Sequence, residues 1–296
     1  MGLANYIALG DSISIDRYPD LDHADRQRLA LPVTGLGAAS LLARNDDYVW
    51  PEFAGRDLVT ISPGIDCRFE ARDGATTESV LDSQMDALQG IDPGSEALVT
   101  LTAGGNDLLR LIGATDRAGE AGVRAILDNL DAILGVVRDR LPRAVILVAN
   151  VYDPTDGTGD LEGPRLHPAA TIADGWLHPA ATIPDGWLHP AATIPDGRLH
   201  PAATIADGWL RPQEMRWLAD GNAGVERLCR QRGARLIDLH RHFGGHGRSA
   251  PVAKRWYWTG SLIEPGMRGA SEIRRLWLAA VEESRPASRT KPPADR

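Results

Sequence analysis

The run Ala144-Val-Ile-Leu-Val-Ala-Asn150 is apolar at six consecutive positions. In a β-strand successive side chains point to opposite faces, so a strand with this composition must be covered on both. That predicts a buried parallel strand with helices on either side. Tyr6-Ile-Ala-Leu9, ended by Gly10, and Ala97-Leu-Val-Thr-Leu-Thr102 have the same character. Asp57-Leu-Val-Thr-Ile-Ser62 reads as a second strand and Ala234 to Leu239 as a last one. Between them lie helical patterns over Gly35–Leu42, Glu78–Leu88, Leu108–Ile112, Val123–Leu141, Gly221–Gln231 and Gly269–Glu283. In the second of these, Val80, Leu81, Met85 and Leu88 recur at helical spacing. Alternating strands and helices imply an α/β fold with a parallel sheet and helices on both faces. Asp16–Gln27, with Asp16, Asp20, Asp22 and Asp25, reads as a polar loop over the end of the first strand, and Val49–Phe53 as a short aromatic segment.

The chain of 296 residues is expected to form a single domain over residues 1–284, with a disordered tail at 285–296 containing Pro286, Pro292 and Pro293. A net charge of −8 argues against nucleic acid or an anionic membrane as the main partner. No apolar run approaches the roughly 20 residues that span a bilayer. The N-terminus passes directly into the first strand, so a cytoplasmic protein without a signal peptide is expected. Cys67 and Cys229 are too few for a disulfide framework. The domain is interrupted at 166–209 by a tandem repeat of 11 residues, LHPAATIADGW and near-copies starting at Leu177, Leu188 and Leu199; a fifth begins at Leu210-Arg-Pro212. His167, His178, His189 and His200 fall in register. No second ligand accompanies each copy, so the repeat reads as a loop expansion with no metal site.

Three strand ends carry residues with chemical potential: Gly10-Asp11-Ser12, Gly74 in Asp73-Gly-Ala-Thr76, and Asn106 in Gly104-Gly-Asn-Asp107. Taken singly, Ser12 reads as a helix cap, Gly74 as a turn and Asn106 as another cap. Together they meet the needs of acyl transfer: a hydroxyl nucleophile, its own N–H, a glycine N–H and an amide side chain aimed at the developing oxyanion. The three blocks resemble the GDSL, or SGNH, hydrolase family of serine esterases and lipases. The resemblance implies a flavodoxin-like three-layer α/β/α sandwich with a central parallel sheet, the SGNH hydrolase fold. It implies Ser12 as nucleophile, Gly74 and Asn106 in the oxyanion hole, a small-molecule carboxylic ester as substrate and no cofactor. The G-x-S-x-G elbow of α/β-hydrolases is absent around Ser12.

The family's last block, Asp-x-x-His before the final helix, is replaced by Ser261-Leu-Ile-Glu264-Pro265. Glu264 stands at the histidine position and Ser261 at that of its aspartate. Among the other histidines, His240, His242 and His246 follow the last strand. His246 is the first candidate for a relocated base, with Glu264 orienting its ring; His240, paired with Asp238, is the second. Glu264 acting as the base itself would need its pKa raised by burial. Asp11 and Asp107 border the substrate position and are expected to fix loop geometry through hydrogen bonds to backbone N–H groups. Asp153-Pro-Thr-Asp-Gly157 reads as a pocket edge or an ordinary turn, and Trp256 and Trp258 as an apolar wall or part of the core. The leading reading is a serine esterase. An acyltransferase using the same residues, and a binding protein that has lost turnover with the Asp-x-x-His pair, are the alternatives.

Overall fold

Five parallel strands, β1 (Asn5–Gly10), β2 (Asp66–Phe69), β3 (Ala97–Thr102), β4 (Val145–Ala149) and β5 (Arg235–Ile237), pair in the order β2-β1-β3-β4-β5. The structure is a computed structural model that describes residues 2–27, 35–160 and 210–284. The repeat at 166–209 and the tail at 285–296 lie outside the described residues. In the register, Tyr6 stands between Cys67 and Leu98, and Gly10 is opposite Thr102.

The helices are α1 (Arg17–Gln27), α2 (Ala38–Ala43), α3 (Leu58–Ile61), α4 (Thr77–Ser83), α5 (Gly105–Arg110), α6 (Asp116–Arg140), α7 (Pro212–Arg232), α8 (Leu239–Phe243) and α9 (Met267–Ser284). Alternation along the strands divides the core into two. Tyr6, Ala8, Leu98 and Leu147 face a cluster that includes Leu42 of α2 and Trp277 of α9. Ile7, Leu9, Val99 and Val148 face the other, with Val80 of α4, Leu130 of α6 and Val225 of α7. Burying such a side chain contributes about 1.5–3 kcal/mol, so a sheet covered on both sides is the stable outcome for strands apolar on both faces. The flavodoxin-like sandwich expected from the sequence is the observed fold.

From β1 the chain leaves over the α2 face to reach β2, then returns over the α4 face to β3. The loops after β1 and β3 therefore diverge. In open α/β sheets the crevice at such a reversal of strand order is where ligands bind.

Two local expectations are corrected. Asp57–Ser62 is not a strand: Asp57 caps α3, its side chain accepting from Thr60 N–H at 2.9 Å. The second strand is instead Asp66–Phe69, an edge strand with both terminal residues exposed. Arg17–Gln27 is helix α1 and not a loop. Asp16, just before it, and Asp20 and Asp22 within it tie down other segments: Asp16 accepts from Gly37 N–H, Asp20 from Leu36 N–H and Asp22 from Met267 N–H. Helix boundaries also shift. The Glu78–Leu88 pattern divides into α4 and a 3₁₀ turn at Met85–Leu88, and α7 begins at Pro212, well before Gly221. Leu210 N–H donates to Gly159 O at 2.7 Å, so the two sides of the insertion meet at a backbone hydrogen bond.

Candidate active site

Gly10 ends β1 with φ of 127°, a conformation that L side chains rarely adopt. Its backbone is held on both sides. Gln84 accepts from Gly10 N–H at 2.7 Å and donates to Gly10 O at 2.8 Å, and Thr102 crowds the space a Cβ would need. The chain turns sharply here and presents Ser12 in the crevice between β1 and β3. Asp11 N–H donates to the Thr102 hydroxyl at 3.2 Å, and the Asp11 carboxyl accepts from Ile13 N–H at 3.1 Å. This turn takes the place of the helix cap that Ser12 alone would suggest.

The glycine and asparagine blocks are joined to each other. Asn106, the second residue of α5, donates through Nδ2 to Ala75 O at 2.9 Å, which draws it to the residue after Gly74. Asp107 accepts from Thr77 N–H at 2.9 Å and from the Thr77 hydroxyl at 2.7 Å, clamping the start of α4 to α5. Gly74 takes φ of 71°. Among the described residues, neither Ser12 N–H nor Gly74 N–H donates to another protein group. Ser12 lines the cavity beside it, and Gly74 stands outside that lining.

Glu264 reaches Ser12 from the far end of the chain. The Ser12 hydroxyl donates to Glu264 Oε1 at 3.1 Å, both residues being buried. Burial pushes the Glu264 carboxyl well above the usual carboxylate range. Neighbouring Asp73 and Asp11 add to the shift, while the Ser12 hydrogen bond and the Arg17 charge oppose it. Asp73 itself is held by Arg17 Nη1 and the Tyr18 hydroxyl, each at 3.0 Å.

The structure does not bring the other candidate bases to Ser12. The His246 ring stacks on Trp256, with centroids 3.6 Å apart, and donates through Nδ1 to Lys254 O at 2.7 Å. His240 is exposed on α8, and Asp238 caps that helix without pairing with it. His242 pairs with Glu272 at 3.1 Å. None of these histidines lines the cavity beside Ser12. Trp256 and Trp258 also lie off it; Trp258 donates to Asp25 and packs near Tyr18.

That cavity opens to solvent and comprises about 780 Å³ of space, part of it outside the mouth. Ser12, Asn106 and Glu264 line it, with Asp11 beside them. Much of the rest of the wall is apolar, including Leu109 and Ile112 after β3 and Trp217 and Leu218 of α7. Asp153 and Pro154 border it, with the Asp153 carboxylate turned back on Thr155 and Gly157 N–H as in an ordinary turn. Glu214 is also in the wall. Despite burial, hydrogen bonds from Gly113 and Arg211 N–H and from the Arg211 side chain hold its carboxyl below the ordinary range. It serves as a cap for α7.

Sequence reasoning missed the Gln84 clamp on Gly10 and the Trp217 wall. Gln84 sits in an unremarkable helical stretch with no local signal. The amphipathic pattern of α7 was readable only from Gly221 onward, beyond Trp217.

The sandwich, with a cavity at the end of its first strand and a family match over most of the chain, defines the class of protein: an ester-acting hydrolase. The chain belongs to the GDSL-like lipase/acylhydrolase family, whose model matches residues 8–255. The match ends before Ser261–Pro265, the block that departs from the family pattern. Among solved structures, the fold is similar to the lipase Lip_vut3 from a goat rumen metagenome (15% identity, 93% of this chain and 96% of that chain, TM-score 0.54). It is also similar to an extracellular lipase from Streptomyces rimosus (17% identity, 95% and 100%, TM-score 0.52) and to the acetyl xylan esterase AlAXEase (12% identity, 94% and 99%, TM-score 0.50). No curated protein matches the chain in sequence.

Asp11 carries a stability consequence. Burial pushes its carboxyl from 3.8 up to about 7, opposed by the Ile13 and Thr102 hydrogen bonds. The folded state then keeps a proton that the unfolded chain releases near pH 4, so stability falls as pH rises from about 4 to about 7, by roughly 4 kcal/mol in all. Asp11→Asn, which keeps an acceptor for Ile13 N–H, is expected to remove this part of the slope. Urea midpoints should show the variant gaining on wild type at alkaline pH and not at acidic pH. An equal difference at both would mean that burial does not shift the Asp11 pKa.

Proposed function

We propose that the protein hydrolyses carboxylic esters with an apolar acyl group through an acyl-enzyme on Ser12. The observation that carries this reading is that Ser12 and Asn106 line one largely apolar cavity. The acyl chain lies toward Leu109, Ile112 and Trp217. Ser12 Oγ attacks the carbonyl, and the charge developing on its oxygen is received by Ser12 N–H, Gly74 N–H and the Asn106 amide. Such donors lower the barrier because they are oriented before the charge appears. Loss of the alcohol leaves the acyl-enzyme, and water releases the acid. A relocated histidine, His246 or His240, has no geometric support, since both rings are engaged or exposed away from the cavity.

The test is hydrolysis of p-nitrophenyl esters of increasing acyl length, together with capture by a fluorophosphonate probe. A rise in kcat/KM from acetyl to medium-chain esters, with probe bound at Ser12, is the expected result. A preference for acetyl esters would refute the apolar acyl site. Product analysis with an added alcohol separates hydrolysis from acyl transfer. A folded protein that neither hydrolyses nor labels would overturn the reading.

A further inference from the structure

We propose that Glu264, in its ionised form, takes the Ser12 proton, in place of the histidine that the family's last block supplies. This rests on the hydrolase reading above. The hydroxyl of Ser12 donates directly to Glu264 Oε1 at 3.1 Å, and among the described residues no other ionisable side chain hydrogen-bonds to it.

The Glu264 backbone is fixed from several directions. The Ser261 hydroxyl accepts from Glu264 N–H at 3.2 Å and from Ile263 N–H at 3.3 Å. Trp258 N–H donates to Glu264 O at 3.0 Å, and the Tyr152 hydroxyl donates to Ile263 O at 2.7 Å. Ser261, at the family's aspartate position, thus shapes the turn that delivers the carboxyl to the serine. Tyr152 is itself locked, stacked on Phe243 with ring centroids 4.7 Å apart. A carboxyl held this way needs little reorganisation to accept a proton.

An ordinary carboxylate is too weak a base for this task, because general bases work best when their pKa lies near the operating pH. The surroundings raise its proton affinity well above that of an exposed carboxylate. Asp11 faces Glu264 from the end of β1 and Asp73 from the loop after β2, and both disfavour its charge. From α1, Arg17 favours the charge, partly spent on Asp73, while Tyr18 is close enough to feel it. Tyr152, from the loop after β4, is the remaining neighbour.

In the acylation step the Ser12 Oγ–H bond breaks and its proton passes to Glu264 Oε1. The Oγ–carbon bond forms, and the carbonyl π pair moves onto the oxyanion. Collapse re-forms the carbonyl and breaks the bond to the alcohol oxygen, which takes the proton from the Glu264 carboxyl. Water then attacks the acyl carbon and gives a proton to Glu264; collapse breaks the Oγ–carbon bond, the acid leaves, and Ser12 Oγ takes the proton back from the Glu264 carboxyl. Activity therefore rises with pH as Glu264 ionises. Carboxyl groups ionise with little enthalpy and imidazoles with much, so this inflection stays in place when temperature changes.

The experiment measures kcat/KM and fluorophosphonate labelling against pH at two temperatures, for wild type, Ser12→Ala, Glu264→Gln, Glu264→His, His240→Ala and His246→Ala. Glu264→Gln is expected to lose about 10²–10⁴-fold in kcat/KM, mainly in kcat, and the two alanine variants at histidine to stay within about twofold of wild type, well inside that general-base contribution. Glu264→His should recover much of the loss, with an inflection near about 6.5 that moves with temperature. If Glu264→Gln matches wild type while Ser12→Ala is inactive, the proposal fails and the hydrolase reading stands. If wild type neither hydrolyses nor labels, both fail. Should Glu264→Gln not fold, the wild-type inflection decides: a temperature-dependent one overturns the proposal, and a fixed one supports it.

Discussion

Ser12→Ala is expected to lower kcat/KM by on the order of 10⁴-fold or more, equivalent to about 5 kcal/mol or more of transition-state stabilisation. Without the hydroxyl no acyl-enzyme forms. What remains is the rate enhancement that Gly74, Asn106 and the cavity give to direct attack by water, which in serine hydrolases is well above background. Probe labelling should disappear entirely. Stability should change by only about 1 kcal/mol, because one buried hydrogen bond is lost. Steady-state kinetics on a shared ester substrate, with thermal melts as a folding control, make the comparison. Residual activity within tenfold of wild type would show that Ser12 is not the nucleophile.

Gly10→Ala is expected to be the most destabilising single methyl addition near the site. A Cβ at this position would lie 1.9 Å from Thr102 O, 2.4 Å from Thr102 Oγ1 and 2.7 Å from Thr102 N. Two of these are backbone atoms of β3, paired on its other edge with β4, so they have little room to withdraw. The positive φ adds strain of about 1–3 kcal/mol, and overpacking a similar amount. The sum is several kcal/mol, against a total stability of about 5–15 kcal/mol for a typical domain. Because Gly10 aims the turn that carries Ser12, activity of any folded fraction should fall as well. Urea unfolding monitored by tryptophan fluorescence measures the effect. A midpoint unchanged from wild type would mean that β1 and β3 can separate at this end.

Much of the architecture was legible from local pattern. The strands β1, β3 and β4 are central and buried on both faces, so their sequences are continuously apolar and hard to mistake. The edge strand β2 was misplaced for the opposite reason. Only part of it is covered, its sequence Asp66-Cys-Arg-Phe69 shows no continuous apolar run, and the more apolar Leu58–Ile61 nearby drew the assignment. In so short a run, strand and helix share one pattern, and the Asp57 cap decides for helix. Helix α1 reads as a loop because its buried side chains include two aspartates, Asp20 and Asp22, which are satisfied by backbone N–H groups of Leu36 and Met267. Such partners are invisible until the chain is folded.

The site divides in the same way. Ser12, Gly74 and Asn106 each follow a strand or a short turn, in contiguous blocks whose resemblance to one family makes them candidates; a parallel sheet puts every strand's carboxyl end on one edge. Which residue stands against Ser12 was decided only by tertiary structure. Glu264 is 252 positions away along the chain, and by sequence His246 and then His240 were candidates for the base. The turn shaped by Ser261, Trp258 and Tyr152 delivers the glutamate, while stacking on Trp256 and a hydrogen bond to Lys254 O hold His246 elsewhere. Short-range pattern determines strands, helices and contiguous motifs because their forces act between near neighbours. Proximity across 252 residues, and the proton affinity that burial confers, exist only once the sheet and its loops have closed.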